Sequence, residues 1–259
     1  MTSTMSTFLR SSLREGIGFK YNSYSMRVAL TRAEEDIRKD KPIFERASLK
    51  VVELPLIEEV PLDFEVPDEE FDYLVFLSPR AVRSFLSRHS PKGSKIVAVG
   101  EKTKRAVEEF GYEVWAMPEN YYGESILKLM AGKGGKVLLP RSDVGREEVI
   151  EGLRALGFEV HTLSVYTVRP MIYHRDTLIE RLNLADAIFF ASPSAVEGLL
   201  ANLPKEEASS LLAGKIILCI GKTTKEHLYS KLSLQCLTPE KPTVEGVVSL
   251  LKSLARSLH

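Results

Sequence analysis

Short, uninterrupted apolar runs alternate with polar stretches of helical period along most of the chain. The runs fall within residues 27–31, 73–77, 96–99, 136–139, 187–190 and 216–220, with Arg27, Thr31 and Lys136 at their ends. Runs this short, with no polar alternation, predict strands buried on both faces, as in parallel sheets. Each is followed by apolar positions three and four apart, predicting helices over 33–39, 79–88, 102–110, 147–156, 193–202 and 223–231. Further helices are predicted over 122–130, 176–182 and 244–258, and a short strand over 113–116. Gly111 and Gly157 follow two of the helices as terminators. Strands alternating with helices define the α/β class, with helices covering both faces of each sheet.

Two longer extended stretches do not fit this rhythm. In His161-Thr-Leu-Ser-Val-Tyr-Thr-Val-Arg-Pro170, β-branched Val165, Thr167 and Val168 flank aromatic Tyr166, which favours a strand closed by Pro170. Lys50-Val-Val-Glu-Leu-Pro-Leu-Ile57 is also extended, and Pro55 suits an edge or a connector. Pro61 and Pro67 then mark a loop.

The chain also repeats itself. Asp72-Tyr-Leu-Val-Phe-Leu-Ser-Pro-Arg-Ala-Val82 is echoed by Asp186-Ala-Ile-Phe-Phe-Ala-Ser-Pro-Ser-Ala-Val196. Ser78 and Ser192, Gly100 and Gly221, and Arg32 and Arg141 stand at similar offsets. Two related α/β units follow from this. The expected division gives residues 26–49 and 170–259 to a first, discontinuous domain and 58–159 to an inserted second domain. Residues 50–57 and 160–169 are expected to be β linkers between them.

Composition narrows the function. Hydrophobic content of 44% and charged content of 27% are those of a globular chain. The 35 basic residues balance the 35 acidic ones, so no global field draws the protein to nucleic acid or a membrane surface. No apolar run reaches the length of a membrane span. Cys219 and Cys236 lack metal-ligand spacing and read as packing residues of a reduced, cytoplasmic protein. Residues 1–25 are rich in Ser and Thr without an apolar period, and are expected to be a flexible extension.

The chemistry lies in three kinds of strand-to-helix turn. Ser78-Pro79 and Ser192-Pro193 have the form of a serine cap followed by proline in the first helical turn. Such turns also stand at the carboxyl ends of strands, where open α/β sheets bind ligands. Gly100-Glu-Lys-Thr103 and Gly221-Lys-Thr-Thr224 carry hydroxyls but lack the second glycine of a phosphate loop. Arg141-Ser-Asp-Val-Gly-Arg-Glu147 offers two guanidinium groups, for carboxylate binding or for local ion pairs. The five histidines share no motif, and no nucleophile elbow or triad is visible, which argues against metal or acyl-enzyme chemistry. An enzyme and a two-lobed binding protein for a small anionic ligand both fit these turns.

From about residue 27 to 253 the chain resembles the uroporphyrinogen-III synthase family. The likeness rests on Arg27-Val-Ala-Leu-Thr-Arg32, Phe76-Leu-Ser-Pro-Arg-Ala-Val82, Val99-Gly-x-x-Thr103 and Leu139-Pro-Arg-Ser-x-x-Gly-Arg-Glu147. It continues through Val165-Tyr166, Phe190-Ala-Ser-Pro-Ser-Ala-Val196 and Ile220-Gly-Lys-Thr-Thr224. The resemblance implies two α/β domains joined by a two-stranded linker, with an active-site cleft between them. It implies a lyase that closes the polycarboxylate linear tetrapyrrole hydroxymethylbilane to uroporphyrinogen III, losing water and inverting ring D. It implies neither metal nor organic cofactor, no nucleic-acid or membrane partner, and a monomer. Tyr166 would be the cleft tyrosine, a possible general acid. Ser78, Arg80, Thr103, Arg146, Ser192, Ser194, Thr223 and Thr224 would contact substrate. The chain departs from the family at Ser142, where glycine more often follows the arginine, so the resemblance does not fix the backbone shape there.

Overall fold

The computed structural model describes residues 25–118, 123–145 and 147–257. The first elements in chain order are β1 (Arg27–Leu30), α1 (Glu34–Glu45), β2 (Lys50–Glu53) and β3 (Ile57–Pro61). Next come β4 (Tyr73–Phe76), α2 (Pro79–Leu86), β5 (Lys95–Ala98), α3 (Glu101–Glu109) and α4 (Gly123–Met130). β6 (Lys136–Ser142), α5 (Glu148–Ala155) and β7 (Glu159–Pro170) follow. The last part holds α6 (Arg175–Leu184), β8 (Ala187–Phe190), α7 (Pro193–Asn202) and α8 (Lys205–Leu212). It ends with β9 (Ile216–Cys219), α9 (Lys222–Leu232) and α10 (Val244–Ser257). The chain divides into two compact units: residues up to Glu58 with those from Arg169 onward, and Glu59–Val168.

The first unit is built on a parallel sheet of order β2-β1-β8-β9. One face carries Ile188, Phe190, Ile217 and Cys219 against Leu178, Leu182, Val196, Leu199, Leu212 and Leu228 of α6 to α9. The other carries Val28, Leu30, Phe189 and Leu218 against Ile37 and Phe44 of α1 and Val247 and Leu251 of α10. Thr31 is fully buried just past β1, and its hydroxyl donates to Phe189 O at 2.7 Å, fastening β1 to β8. Arg32, next along, is held by Asp40 at 2.7 Å and Asp36 at 3.2 Å.

The second unit is built on a sheet of order β3-β7-β6-β4-β5. β7, β6, β4 and β5 run parallel. β3 runs against them, since Met171 N donates to Leu56 O and Leu62 N to Val165 O, the numbers rising on one strand as they fall on the other. Leu74, Phe76, Leu138 and Val165 pack on α2 and α3, while Val75, Val97, Val137 and Leu139 pack on α4 and α5. The order β7-β6-β4-β5 matches β2-β1-β8-β9, with β4 standing for β8 and β6 for β1. Each unit is therefore a three-layer α/β domain in which the strand order reverses next to a Ser-Pro turn.

Several elements differ from their expected extents. Residues 50–57, expected as a linker, begin as β2, whose Lys50 to Glu53 pair with Arg27 to Leu30 inside the first sheet. Fully buried Leu54 and Leu56 anchor the next residues. Pro55, without an N–H, separates this strand from β3, which covers 57–61 where a loop beginning at Pro61 was expected. β7, expected as the second linker over 160–169, is for most of its length a sheet strand paired with β6. α1 continues past the expected end at residue 39 to Glu45, carrying Pro42 inside it, because Phe44 is fully buried one turn further on. Residues 113–116 contribute only the bridge of Ala116 to Val97. The first 24 residues of the expected extension lie outside the described part.

Candidate active site

In the second unit the strand order reverses between β6 and β4, the place where open α/β sheets hold their ligands. Ser78 follows β4 in extended conformation, and its oxygen accepts from Ala81 N at 3.2 Å, with Pro79 in the first turn. The serine cap thus falls at the strand reversal. Tyr166 OH lies 3.3 Å from the same Ser78 oxygen.

What brings the phenol there is an irregularity in β7. Arg141 pairs with Ser164, but Ser142 pairs with Tyr166, so Val165 is an extra residue on that strand. A bulge of this kind bends the strand and re-aims the next side chain. Val165 is fully buried, and Tyr166 packs against the same cluster instead of turning to the opposite face. Tyr166 O accepts from Asp143 N at 3.1 Å, which ties the bulge to the turn after β6. Ser142, after Arg141, is buried and its side chain accepts from Val144 N at 3.2 Å.

Arg141 lies across that turn, donating to Ser142 O at 3.1 Å and to Glu147 at 2.7 Å. A Cβ on residue 145 would stand 2.7 Å from Arg141 Nη2, so Gly145 is what lets the guanidinium pass. Arg80, expected to contact substrate, forms an ion pair with Glu59 of β3, both side chains largely buried. The sequence reading missed Glu59. Glu59 carried a faint signal as a carboxylate between Ile57 and Val60 in an extended run. Arg146 lies outside the described residues.

The first unit repeats the arrangement without the tyrosine. Ser192 follows β8, accepts from Ala195 N at 3.3 Å and precedes Pro193, with Ser194 half-buried beside it. The threonines divide by burial. Thr103 of α3 and Thr224 of α9 each sit three residues after their turn glycine and are 2% and 3% exposed. Both are the third residue of their helix, and both side chains are buried where hydroxyls offered to a ligand were expected. Thr223 is exposed. Gly100 adopts φ 88°, which a side chain would strain, whereas Gly221 is fully extended.

Among the described residues, one group of potential metal ligands comes together, Glu69, Glu159 and His161 of the second unit. Lys136 Nζ already sits among them, ion-paired to Glu69 and 3.7 Å from Glu159. His161 bonds Glu159 at 2.8 Å, and that bond foremost, helped by Lys136, draws the Glu159 carboxyl below the usual range. The group is an ion-pair network.

Two open, mainly parallel sheets, each with a capped helix start where its strand order reverses, define a two-unit α/β protein of the doubly wound type. The profile described as uroporphyrinogen-III synthase HemD matches residues 39–249, and the chain belongs to the uroporphyrinogen-III synthase family. It is 32% identical over 248 residues to the chloroplastic uroporphyrinogen-III synthase of Oryza sativa subsp. japonica, covering 88% of this chain and 80% of that protein. Its fold is similar to uroporphyrinogen-III synthetase of Helicobacter pylori 26695, with TM-score 0.63 and 20% identity, covering 88% of this chain and 99% of that one. A mutant uroporphyrinogen III synthase of the extremely thermophilic bacterium Thermus thermophilus gives TM-score 0.59 at 19% identity, covering 90% and 99%. Membership makes the chain an enzyme of tetrapyrrole biosynthesis with a small-molecule tetrapyrrole substrate, and the non-catalytic binding protein is not favoured. No helix among the described residues is long and apolar enough to cross a membrane.

Proposed function

We propose that the chain is a cyclising hydro-lyase that converts hydroxymethylbilane to uroporphyrinogen III, with Tyr166 assisting departure of the hydroxyl group. The observation carrying this assignment of roles is the 3.3 Å contact between Tyr166 OH and Ser78 Oγ at the strand reversal. Ser78 Oγ already accepts from Ala81 N, so the pair of hydroxyls is held by a helix start. This leaves the phenol oriented by Ser78 and able to donate outward.

In the reaction, a pyrrole nitrogen lone pair pushes out the hydroxyl, which leaves as water after taking a proton from Tyr166. The substituted carbon of ring D then attacks the exposed carbon, giving the spiro intermediate. Rearrangement and closure release a proton that restores the phenol, so one water is lost overall. The substrate supplies the driving electron pair, and the protein must chiefly fold the chain so that the substituted carbon is the one presented. No strong nucleophile is called for.

The substrate's carboxylates are assigned to the starts of α2, α7 and α9, with Ser192, Ser194 and Thr223 as hydroxyl contacts and Arg80 and Arg146 as cations. A substrate carboxylate at Arg80 would exchange with Glu59. Thr103 and Thr224 would shape their turns from behind. The reading includes a monomer that needs no cofactor, in the cytoplasm, which the unbridged Cys219 and Cys236 support. Incubation with freshly generated hydroxymethylbilane, followed by separation of the products, tests the whole. The III isomer is expected above the spontaneous I isomer, and the I isomer alone would end the proposal.

A further inference from the structure

The site of the second unit contains a carboxylate of its own. Arg80 is the second residue of α2, and no acidic residue stands in the first turn of that helix. Its counter-charge comes from another strand. Glu59 of β3 is ion-paired with Arg80 through Oε2, an oxygen closed off from solvent, and the Arg80 and Glu59 side chains are 20% and 16% exposed. Leu62 N donates to Val165 O, a register that sets Pro61 opposite Tyr166. Alternation then puts Glu59 on the face it shares with Pro61, two residues along β3 from the one that faces Tyr166. The ion pair therefore stands beside the Tyr166–Ser78 contact.

The internal repeat shows that the fold does not demand this pair. The first unit builds the equivalent turn, Ser192-Pro193 before α7, with Ser194 where the second unit has Arg80. Nor is a largely buried ion pair a strong source of stability, since taking two charges out of water offsets most of their attraction. A guanidinium held by a carboxylate next to the phenol and the hydroxyl calls for a role in handling the ligand.

We propose that Glu59 is an internal competitor for the ligand's carboxylate at Arg80, and so sets how tightly the site holds both substrate and product. The inference rests on the reading, given above, that Arg80 takes a substrate carboxylate. The reaction removes one water and leaves every carboxylate of the substrate on the product, so a carboxylate contact holds the two alike. Such uniform binding lowers KM without speeding the chemistry. It also delays departure of the product. Glu59 opposes both effects. It must leave its buried place when a ligand carboxylate reaches Arg80, and it reclaims the guanidinium when that carboxylate moves off. Glu59 is thus a residue of affinity and release, and the proton transfer stays with Tyr166.

Binding of uroporphyrinogen III, kept reduced without oxygen, is measured by calorimetry on the full chain and set beside steady-state turnover. Glu59→Gln keeps the shape and removes the charge. It is expected to bind the product about 10-fold more tightly, the scale of one charge-assisted contact. KM should fall by a similar factor while kcat does not rise. In the double variant Glu59→Gln with Arg80→Gln the gain should vanish, because the group competed for is gone. Glu59→Asp keeps a charge for folding but draws it back by one methylene, and should shift affinity the same way by a smaller factor. Product affinity unchanged or weakened in both single variants would make the pair a structural clamp and overturn the inference. A gain that persists without Arg80 would overturn it as well. If the wild-type chain forms the III isomer while these affinities stay level, the inference alone falls. If it forms only the I isomer, the reading at Arg80 falls and the inference with it.

Discussion

At the scale of single residues, the Ser78–Tyr166 contact separates chemistry from support. Tyr166→Phe keeps the ring packed against its cluster and removes only the oxygen. Formation of the III isomer should slow by roughly 10²-fold, the low end of general-acid assistance, because the substrate supplies much of the push. Thermal stability should move by less than about 1 kcal/mol, the net worth of one partly exposed hydrogen bond. Turnover at the unaltered rate would make the tyrosine a packing residue. Glu197 supplies a test of electrostatics remote from these residues. Burial alone would raise its carboxyl, but Lys231 at 3.0 Å and His227 at 2.7 Å outweigh that and hold it below the usual range. A depressed carboxyl contributes stability above its unfolded value and loses it as pH falls through the folded value. The stability gap between the protein and Glu197→Gln should thus be widest near neutrality and close in acid, as urea titrations across pH would show. A gap that widens in acid would contradict the assignment.

At the scale of elements, legibility followed burial. β4, β8 and β9 are uniform apolar runs because both faces are covered, and the Ser-Pro caps mark where the next helices begin. α8 escaped notice because Ala208 and Leu212 are its only buried positions and the first turn is Lys205-Glu-Glu. β3 escaped because an edge strand with two successive glutamates looks like a loop, the more so with Pro61 at its end. Tyr166 and Ser78 were legible as separate features. Their meeting was not, since it depends on one extra residue in β7 and leaves no local pattern. The pairing of Arg80 with Glu59 is long-range and equally silent in sequence. Close packing between elements gives a further test. A Cβ at Gly198 of α7 would stand 2.1 Å from Leu56 O, a backbone atom that also accepts from Met171 N. Neither group can step aside without moving α7 or breaking that bond. Gly198→Ala should cost about 3 kcal/mol, at the upper end of overpacking penalties, despite alanine's better helix propensity. A variant as stable as the parent in urea would show that α7 shifts freely.

At the scale of the whole chain, the two units differ in how they can be built. Glu59–Val168 is continuous and has two clusters of its own, one on each face of its sheet. The first unit draws β1 and β8 from distant parts of the chain, pairing Val28 with Ala187 and Leu30 with Phe189. Such contacts carry the loop-closure cost of everything between them. Folding of the second unit lowers that cost, because pairing Leu62 with Val165 brings together the chain ends that lead into the first unit. A fragment of residues 57–168 should therefore fold alone, keeping β3 to close the sheet edge. Trp115, the single tryptophan, lies in this unit and is 43% exposed, near Lys95 at 5.3 Å from its ring. Its fluorescence reports on the fragment directly. Urea should unfold the fragment in one cooperative step, with fluorescence and circular dichroism coincident and a slope of roughly 1–3 kcal/mol/M. Leu138→Asp, which buries a charge beneath α2, should remove that transition in the fragment. A broad, non-coincident transition in the unaltered fragment would mean that the inserted unit depends on the rest of the chain, reversing the order of assembly argued from its continuity.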